Sequence, residues 1–210
     1  MIKIEHIQTG GFEPAIRGMR NPMNSWEKSD SSFYLNGITI GDNDLKLMQS
    51  LIKSGPDHSK FRRMIVIYCD VTAPLYWWKE FETYKVGTVA NSCSTMHKIQ
   101  SKAFTLSDFA HENLSEKSLD NLRGVISVLN YYRESYLISS DKREWWQMIQ
   151  LLPSSYLQKR TVMLNYEVMA NITKARGNHK LDEWRQFVHI MAETLPYFDE
   201  LIKGGNKNDV

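Results

Sequence analysis

Residues 152–183 run LPSSYLQKRTVMLNYEVMANITKARGNHKLDE, and the rest of the chain is read outward from them. Pro153 ends an apolar helix over Trp145–Leu152, because proline disfavours helical geometry in the residue before it. Spacing predicts a helix over Leu164–Arg176, then two more over Leu181–Thr194 and Tyr197–Ile202. Asn165, Asn171 and Arg176 lie on the first of these. At about 100° per residue, Asn171 sits ~240° from Asn165, and Arg176 returns to ~20°. Asn165 and Arg176 then share a face, either a solvated polar face or a wall turned to a ligand. His179 and Glu183 are spaced for a contact on a helix surface.

Upstream, a long helical pattern covers Leu106–Ser139, with Leu114, Leu122, Val125, Leu129, Tyr132 and Tyr136 in one stripe. Such a stripe is core or subunit interface. Val89–Met96 (VANSCSTM) reads as a loop. Its Ser92, Cys93 and Ser94 either hydrogen-bond among themselves or hold a phosphate through hydroxyls and backbone N–H groups. Met64–Val71 is dense in β-branched residues and reads as a strand buried on both faces, carrying Cys69. Pro74 suits the start of a helix over Leu75–Tyr84.

Nearer the N-terminus, Gly41–Asp44 starts a helix carrying Leu45, Met48, Leu51 and Ile52, and Gly55-Pro56 stops it. A strand pair is expected around Ser32–Ile40. Ala15–Asp30 reads as an ordered loop. Met1–Gln8 reads as a strand broken by Thr9-Gly10-Gly11. Strands and helices in this order make the fold class α+β. Residues 1–203 are expected to form one domain, with a frayed, disordered tail over 204–210.

The 210 residues are 42% hydrophobic and 24% charged, which suits a buried core without metal or disulfide staples. A net charge of +2 does not call for a nucleic-acid or anionic membrane partner. Cys69 and Cys93 form no CxxC pair, and the histidines do not pair at metal spacing, so no metal site is expected. No apolar run reaches the ~20 residues of a membrane span. The start of the chain does not read as a signal peptide, so a reducing, cytoplasmic location is expected. Six Trp and ten Tyr serve either as core or as stacking surfaces for planar ligands.

Residues 152–183 resemble, without a gap, the C-terminal signature of the flavin-dependent thymidylate synthases, the ThyX family. That signature has a Leu-Pro, a Thr-Val-Asn entry into a helix, two Asn and an Arg, then a His and a Glu. Gly55-Pro-Asp-His58, the strand Ile65–Val71 and Ala73-Pro74 match a second part of the family pattern in register. The resemblance spans most of Met1–Leu201. It implies a ThyX-like α+β fold, FAD as cofactor, and transfer of a one-carbon unit from methylene-tetrahydrofolate to C5 of dUMP, with NADPH regenerating the flavin. It also implies a homotetramer.

Carried over residue by residue, the resemblance gives His58, Tyr84, Lys85, Asn91, Asn165 and Asn171 to the flavin. Ser92, Cys93 and Ser94 go to the nucleotide, and Arg176 to the pyrimidine ring as the catalytic position. The chain departs from the pattern at three places. Thr83-Tyr84-Lys85 replaces an Arg-His-Arg triplet, Ile149-Gln150 replaces an arginine before the Leu-Pro, and Glu167 replaces an arginine between the two helix asparagines. Two other readings stay open. One is a nucleotide-binding or assembly protein that kept the scaffold without catalysis. The other is a nucleic-acid binder using Arg17, Arg20, Lys60, Arg62 and Arg63.

Overall fold

A computed structural model describes residues 2–35 and 37–204. Strand β1 (Lys3–Gly10) leads into helix α1 (Phe12–Arg20). A hairpin of β2 (Ser32–Tyr34) and β3 (Gly37–Thr39) precedes α2 (Asp42–Lys53). β4 (Val66–Pro74) feeds α3 (Leu75–Phe81), and β5 (Val89–Ser92) feeds the single turn α4 (Thr95–Lys98). α5 (Glu116–Ser139) and α6 (Lys142–Leu151) follow. β6 (Leu157–Asn165) then enters α7 (Tyr166–Arg176), α8 (Asp182–Thr194) and α9 (Phe198–Leu201). Four strands form one sheet in the order β1-β4-β6-β5, and the class is α+β. The expected tail lies, from residue 205 on, outside the described residues.

The chain gathers into two compact units. The first comprises Met1–Lys3, Val71–Thr83 and Asn91–Thr161, and the second Ile4–Asp70, Tyr84–Ala90 and Val162–Val210.

In the first unit α5 packs on α6 around Leu122, Ile126, Leu129, Phe109 and Met148. Val125, Tyr132 and Tyr136 close over the same cluster. The stripe expected from sequence is therefore core within its own unit. The helix starts at Glu116 rather than near Leu106, because the Ser115 side chain caps it by accepting from the Ser118 N–H. Leu106–Asp108 forms a separate 3-10 turn, and Leu114 lies outside both. In α3, Trp77 stacks on Phe81, and Trp78 meets both rings edge to face.

In the second unit α7 and α8 bury Tyr166, Met169, Ile172, Trp184, Phe187 and Met191. Tyr166 donates its N–H to Ile65 O and its hydroxyl to Pro196 O, and meets Phe12 edge to face. Residues 12–20 are helical, which corrects the expected loop over Ala15–Asp30. Pro14 sits in the first turn, where no intrahelical N–H is lost, and Phe12, Ala15 and Ile16 form a buried face. Gly11 precedes α1 at φ +89, and a Cβ there would lie 2.2 Å from Met64 O, so only glycine fits.

Arg20, at the end of α1, is buried against Asp44, whose carboxylate also accepts from Ser29, Ser31 and the N–H of Asp30. This network ties the segment after α1 to α2.

β4 is buried on one side only. Ile67 and Cys69 face the core while Tyr68 is exposed, which corrects the expectation of burial on both faces. β5 takes the place of the expected loop at Val89–Ser92; its four residues are exposed, so no hydrophobic pattern marks it.

Candidate functional site

Residues of the second unit converge on Arg176, the last residue of α7. β6 ends at Asn165, whose backbone is extended (φ −125, ψ 171) and whose side-chain oxygen accepts from the Val168 N–H at 3.0 Å. Helical geometry begins at Tyr166. The rotation reckoned from Asn165 to Arg176 thus has no basis, and the expected helix Leu164–Arg176 loses its first two residues to β6. Asn165 is buried and capping. Gly87, at φ +81, lies over it: a Cβ there would meet Asn165 Nδ2 at 2.9 Å and Val168 Cγ2 at 3.1 Å. Asn171, in the middle of α7, is exposed.

The Arg176 guanidinium is half-buried among aromatic rings. Its Nε donates to Tyr84 Oη at 3.1 Å, and its Nη1 meets His179 Nε2 at 2.8 Å. Its Cζ lies 5.1 Å from the Trp184 ring centroid and 5.9 Å from that of Tyr84, within cation–π range. Trp184 in turn meets Tyr84 and His179 edge to face. Arg185 Nη1 donates to His179 O at 2.6 Å, which fixes the turn between α7 and α8. Sequence reasoning selected Arg176 and Tyr84 but missed His179 and Trp184 as their partners. The His179/Glu183 spacing drew attention to His179 for a surface contact rather than for the charge three residues before it.

His58 and Lys85, both expected at a flavin, are exposed, and the His58 N–H donates to Gly55 O. Glu167, the acidic residue at a position expected to be basic, is paired with Arg62 at 2.7 Å. Arg20 is likewise spent on Asp44, and Arg17 pairs with Glu13 on the surface of α1, so three of the five cations considered for nucleic acid have acidic partners within the fold.

The first unit holds the remaining candidates. Asn91 and Ser92 end β5. The Cys93 N–H donates to Lys159 O at 2.9 Å, and Gln158 Nε2 donates to Cys93 O at 2.8 Å. Asn91, Ser92 and Cys93 are exposed, and the Ser94 hydroxyl caps α4 by accepting from the His97 N–H. Behind Cys93, Gln158 leads to Arg160, whose Nε donates to Gln158 Oε1 at 3.0 Å. Arg160 lies over the Trp78 ring at 4.4 Å and pairs with Glu82 at 3.1 Å. Arg160 was not anticipated, and a strand-period reading of Leu157–Asn165 was the signal for it. Among the described residues no cluster of three or more His, Cys, Asp or Glu could hold a metal ion, and no helix is long and apolar enough to cross a membrane.

No protein-family model and no curated protein sequence matches the chain. Solved structures do. Thymidylate synthase X from Helicobacter pylori, crystallised with FAD and dUMP, superposes with a TM-score of 0.69 at 16% identity, over 99% of this chain and 100% of that one. A UMP/dUMP methylase, PolB from Streptomyces cacaoi, bound with 5-Br UMP, superposes with a TM-score of 0.63 at 13% identity, over 97% and 93%. The chain has the ThyX fold.

Proposed function

We propose that the protein binds a pyrimidine nucleotide and carries out flavin-dependent C5 methylation, or a related one-carbon transfer, on dUMP or a close relative. The observation that carries this reading is Arg176 at the end of α7. It is a half-buried cation whose Nε donates to Tyr84 Oη, whose Nη1 meets His179 Nε2, and which lies over the Trp184 ring. A guanidinium offers a planar fork of donors, which suits the carbonyl edge of a pyrimidine. The two structures of the same fold bound to dUMP and 5-Br UMP support the ligand class.

For the flavin, the donor set is compatible. His58, Asn171 and Lys85 are exposed, and offer an imidazole, an amide and an ammonium suited to the polar edge of an isoalloxazine and to phosphate oxygens. FAD, when bound, supplies the hydride and carries the one-carbon unit, with NADPH and methylene-tetrahydrofolate as co-substrates. The protein's own part is binding and orientation. Asn165 acts indirectly: it fixes the start of α7 and so the position of Arg176 eleven residues on. Ser92, Cys93 and Asn91 are proposed to meet the nucleotide phosphate or the cofactor from the β5 end, with Ser94 holding the backbone turn. A cytoplasmic homo-oligomer, most simply a tetramer, completes the reading. Val128, Tyr131, Leu137 and Ile138 of α5 remain exposed and are the surface for it.

A second reading, a nucleotide-binding protein without catalysis, is favoured by Glu167. Its carboxylate, neutralised by Arg62, stands where a basic residue was expected. The purified protein separates the two. The enzyme reading expects a flavin band at about 450 nm together with a rise in melting temperature on adding dUMP. A colourless protein that dUMP still stabilises supports the second reading. Superimposable melting curves with dUMP, dCMP and dTMP would remove both.

A further inference from the structure

We infer that Gln158, locked by Arg160, is a positioning residue for the segment Asn91–Cys93, and so for the phosphate of the pyrimidine nucleotide. The inference rests on the reading above only in naming that ligand. Gln158 is buried on β6. Its Oε1 accepts from Arg160 Nε at 3.0 Å, and its Nε2 donates to Cys93 O at 2.8 Å. A guanidinium only donates and a peptide oxygen only accepts, so the amide has one orientation between them. Turned over, it would set donor against donor and oxygen against oxygen.

The chain of contacts continues behind Arg160. Its guanidinium lies over the Trp78 ring at 4.4 Å, and its Nη1 donates to Glu82 Oε1 at 3.1 Å. The Trp78 indole N–H donates to Gln158 O at 2.9 Å, which ties the same ring to the β6 backbone. Cys93 is thereby gripped at both of its backbone groups, its N–H by Lys159 O and its carbonyl by Gln158 Nε2. β5 has no apolar anchor of its own, because all four of its residues are exposed. Burying an amide and most of a guanidinium is costly unless each is hydrogen-bonded. Here those withdrawn groups lead to the backbone of an exposed segment and fix where Asn91, Ser92 and Cys93 are presented. Groups fixed in advance bind a phosphate with less ordering cost than groups on a free strand end.

Amide exchange and dUMP affinity test this together. In the ligand-free protein, Gln158→Met fills a similar volume but ends the chain of bonds, and the Cys93 N–H is expected to exchange about tenfold faster. The Leu129 N–H, inside α5, should keep its wild-type rate. An unchanged Cys93 rate overturns the inference, and so does a Leu129 rate raised as much as that of Cys93, which is general loosening. With dUMP as the probe, at a temperature where every variant is folded, Gln158→Met and Arg160→Met are each expected to weaken binding about tenfold. The two side chains act in series, so the double variant should be about as weak as either single one. Equal affinity of Gln158→Met and the wild type overturns the positioning role. A double variant weakened about a hundredfold, the product of two independent effects, overturns it as well. If Gln158→Met does not fold, Arg160→Lys, which lacks the Nε–H that holds the amide, should move both measurements in the same direction, and no change in either ends the inference. If the wild type binds no dUMP, the functional reading falls and the Cys93 exchange rate alone decides: faster in the variant upholds the positioning role, unchanged ends it.

Discussion

The Arg62 guanidinium lies 2.7 Å from the Glu167 carboxylate, with both side chains largely withdrawn from solvent. Arg62 also donates to Leu201 O and Ser59 Oγ, while its buried Nε has no hydrogen-bond partner. An ion pair of this kind is costly to break from one side, because the remaining charge stays buried. Glu167→Gln is therefore expected to lower stability by about 3 kcal/mol. Glu167→Arg, which sets two cations against each other, should cost more, and the swap Arg62→Glu/Glu167→Arg should recover part of the loss. Chemical denaturation of the four proteins checks this. If Glu167→Arg is as stable as the wild type, the pair is not what fixes the acidic residue here.

Asp44 contributes to the acid limit of stability. Burial pushes its carboxyl up, but the hydrogen bonds from Ser31, Ser29, Arg20 and the Asp30 backbone outweigh that and hold it below the usual carboxylate range. A group whose folded value is depressed binds its proton more readily when unfolded. Its contribution is therefore full above the unfolded value of about 3.9 and is lost as pH falls through the folded value. Stability is expected to fall through that acid window. Asp44→Asn should flatten that limb, while costing about 3 kcal/mol at neutral pH through the stranded Arg20. An acid limb of unchanged slope in Asp44→Asn would assign the effect to other carboxylates.

The parts of the fold that were legible in the sequence are those whose signals are local. Gly41 before an acidic first turn and Gly55-Pro56 beyond the last turn bracket α2, and Pro153 stops α6. The parts that were not legible involve polar residues buried by partners distant in sequence. β6 alternates, but Gln158 and Arg160 occupy inward positions next to Val162 and Leu164, so the hydrophobic period is masked. Arg160 is tolerated there only because Trp78 and Glu82, about 80 residues earlier in the chain, cover it. The end of α1 was missed similarly, since Arg20 looks solvated until Asp44 meets it. At the candidate site the retained Arg176 was visible as a motif. Its acceptor Tyr84 was visible only as a departure, and the contact between them is purely tertiary.

The two cysteines should react differently. Cys69 is buried on β4, and burial, aided by the neighbouring Asp70 charge, pushes its thiol up to about 12. Cys93 is exposed. An aromatic disulfide reagent at pH 8 is expected to titrate one thiol in the native protein and two in denaturant, since the thiolate is the reacting species. Cys93→Ser should remove the native reaction. Two fast thiols in the native state would show that the strand around Cys69 opens on the timescale of the reagent.

Arg176→Lys joins the site to its support. Lysine keeps the charge but offers a compact ammonium in place of the fork, so it cannot reproduce the Nε–Tyr84 and Nη1–His179 bonds together. Losing these internal bonds is expected to cost about 1 kcal/mol of stability, or roughly 2–4 °C in melting temperature for a chain of this size. The loss in dUMP affinity should be larger, about 1.5–3 kcal/mol, the scale of a hydrogen bond to a charged group. The ratio is what discriminates. A purely structural Arg176 predicts a lower melting temperature with an unaltered dissociation constant, whereas a ligand-facing Arg176 predicts that affinity falls further than stability. Thermal melts and dUMP titrations on the same two preparations give both numbers, and an unchanged dissociation constant takes Arg176 out of the site.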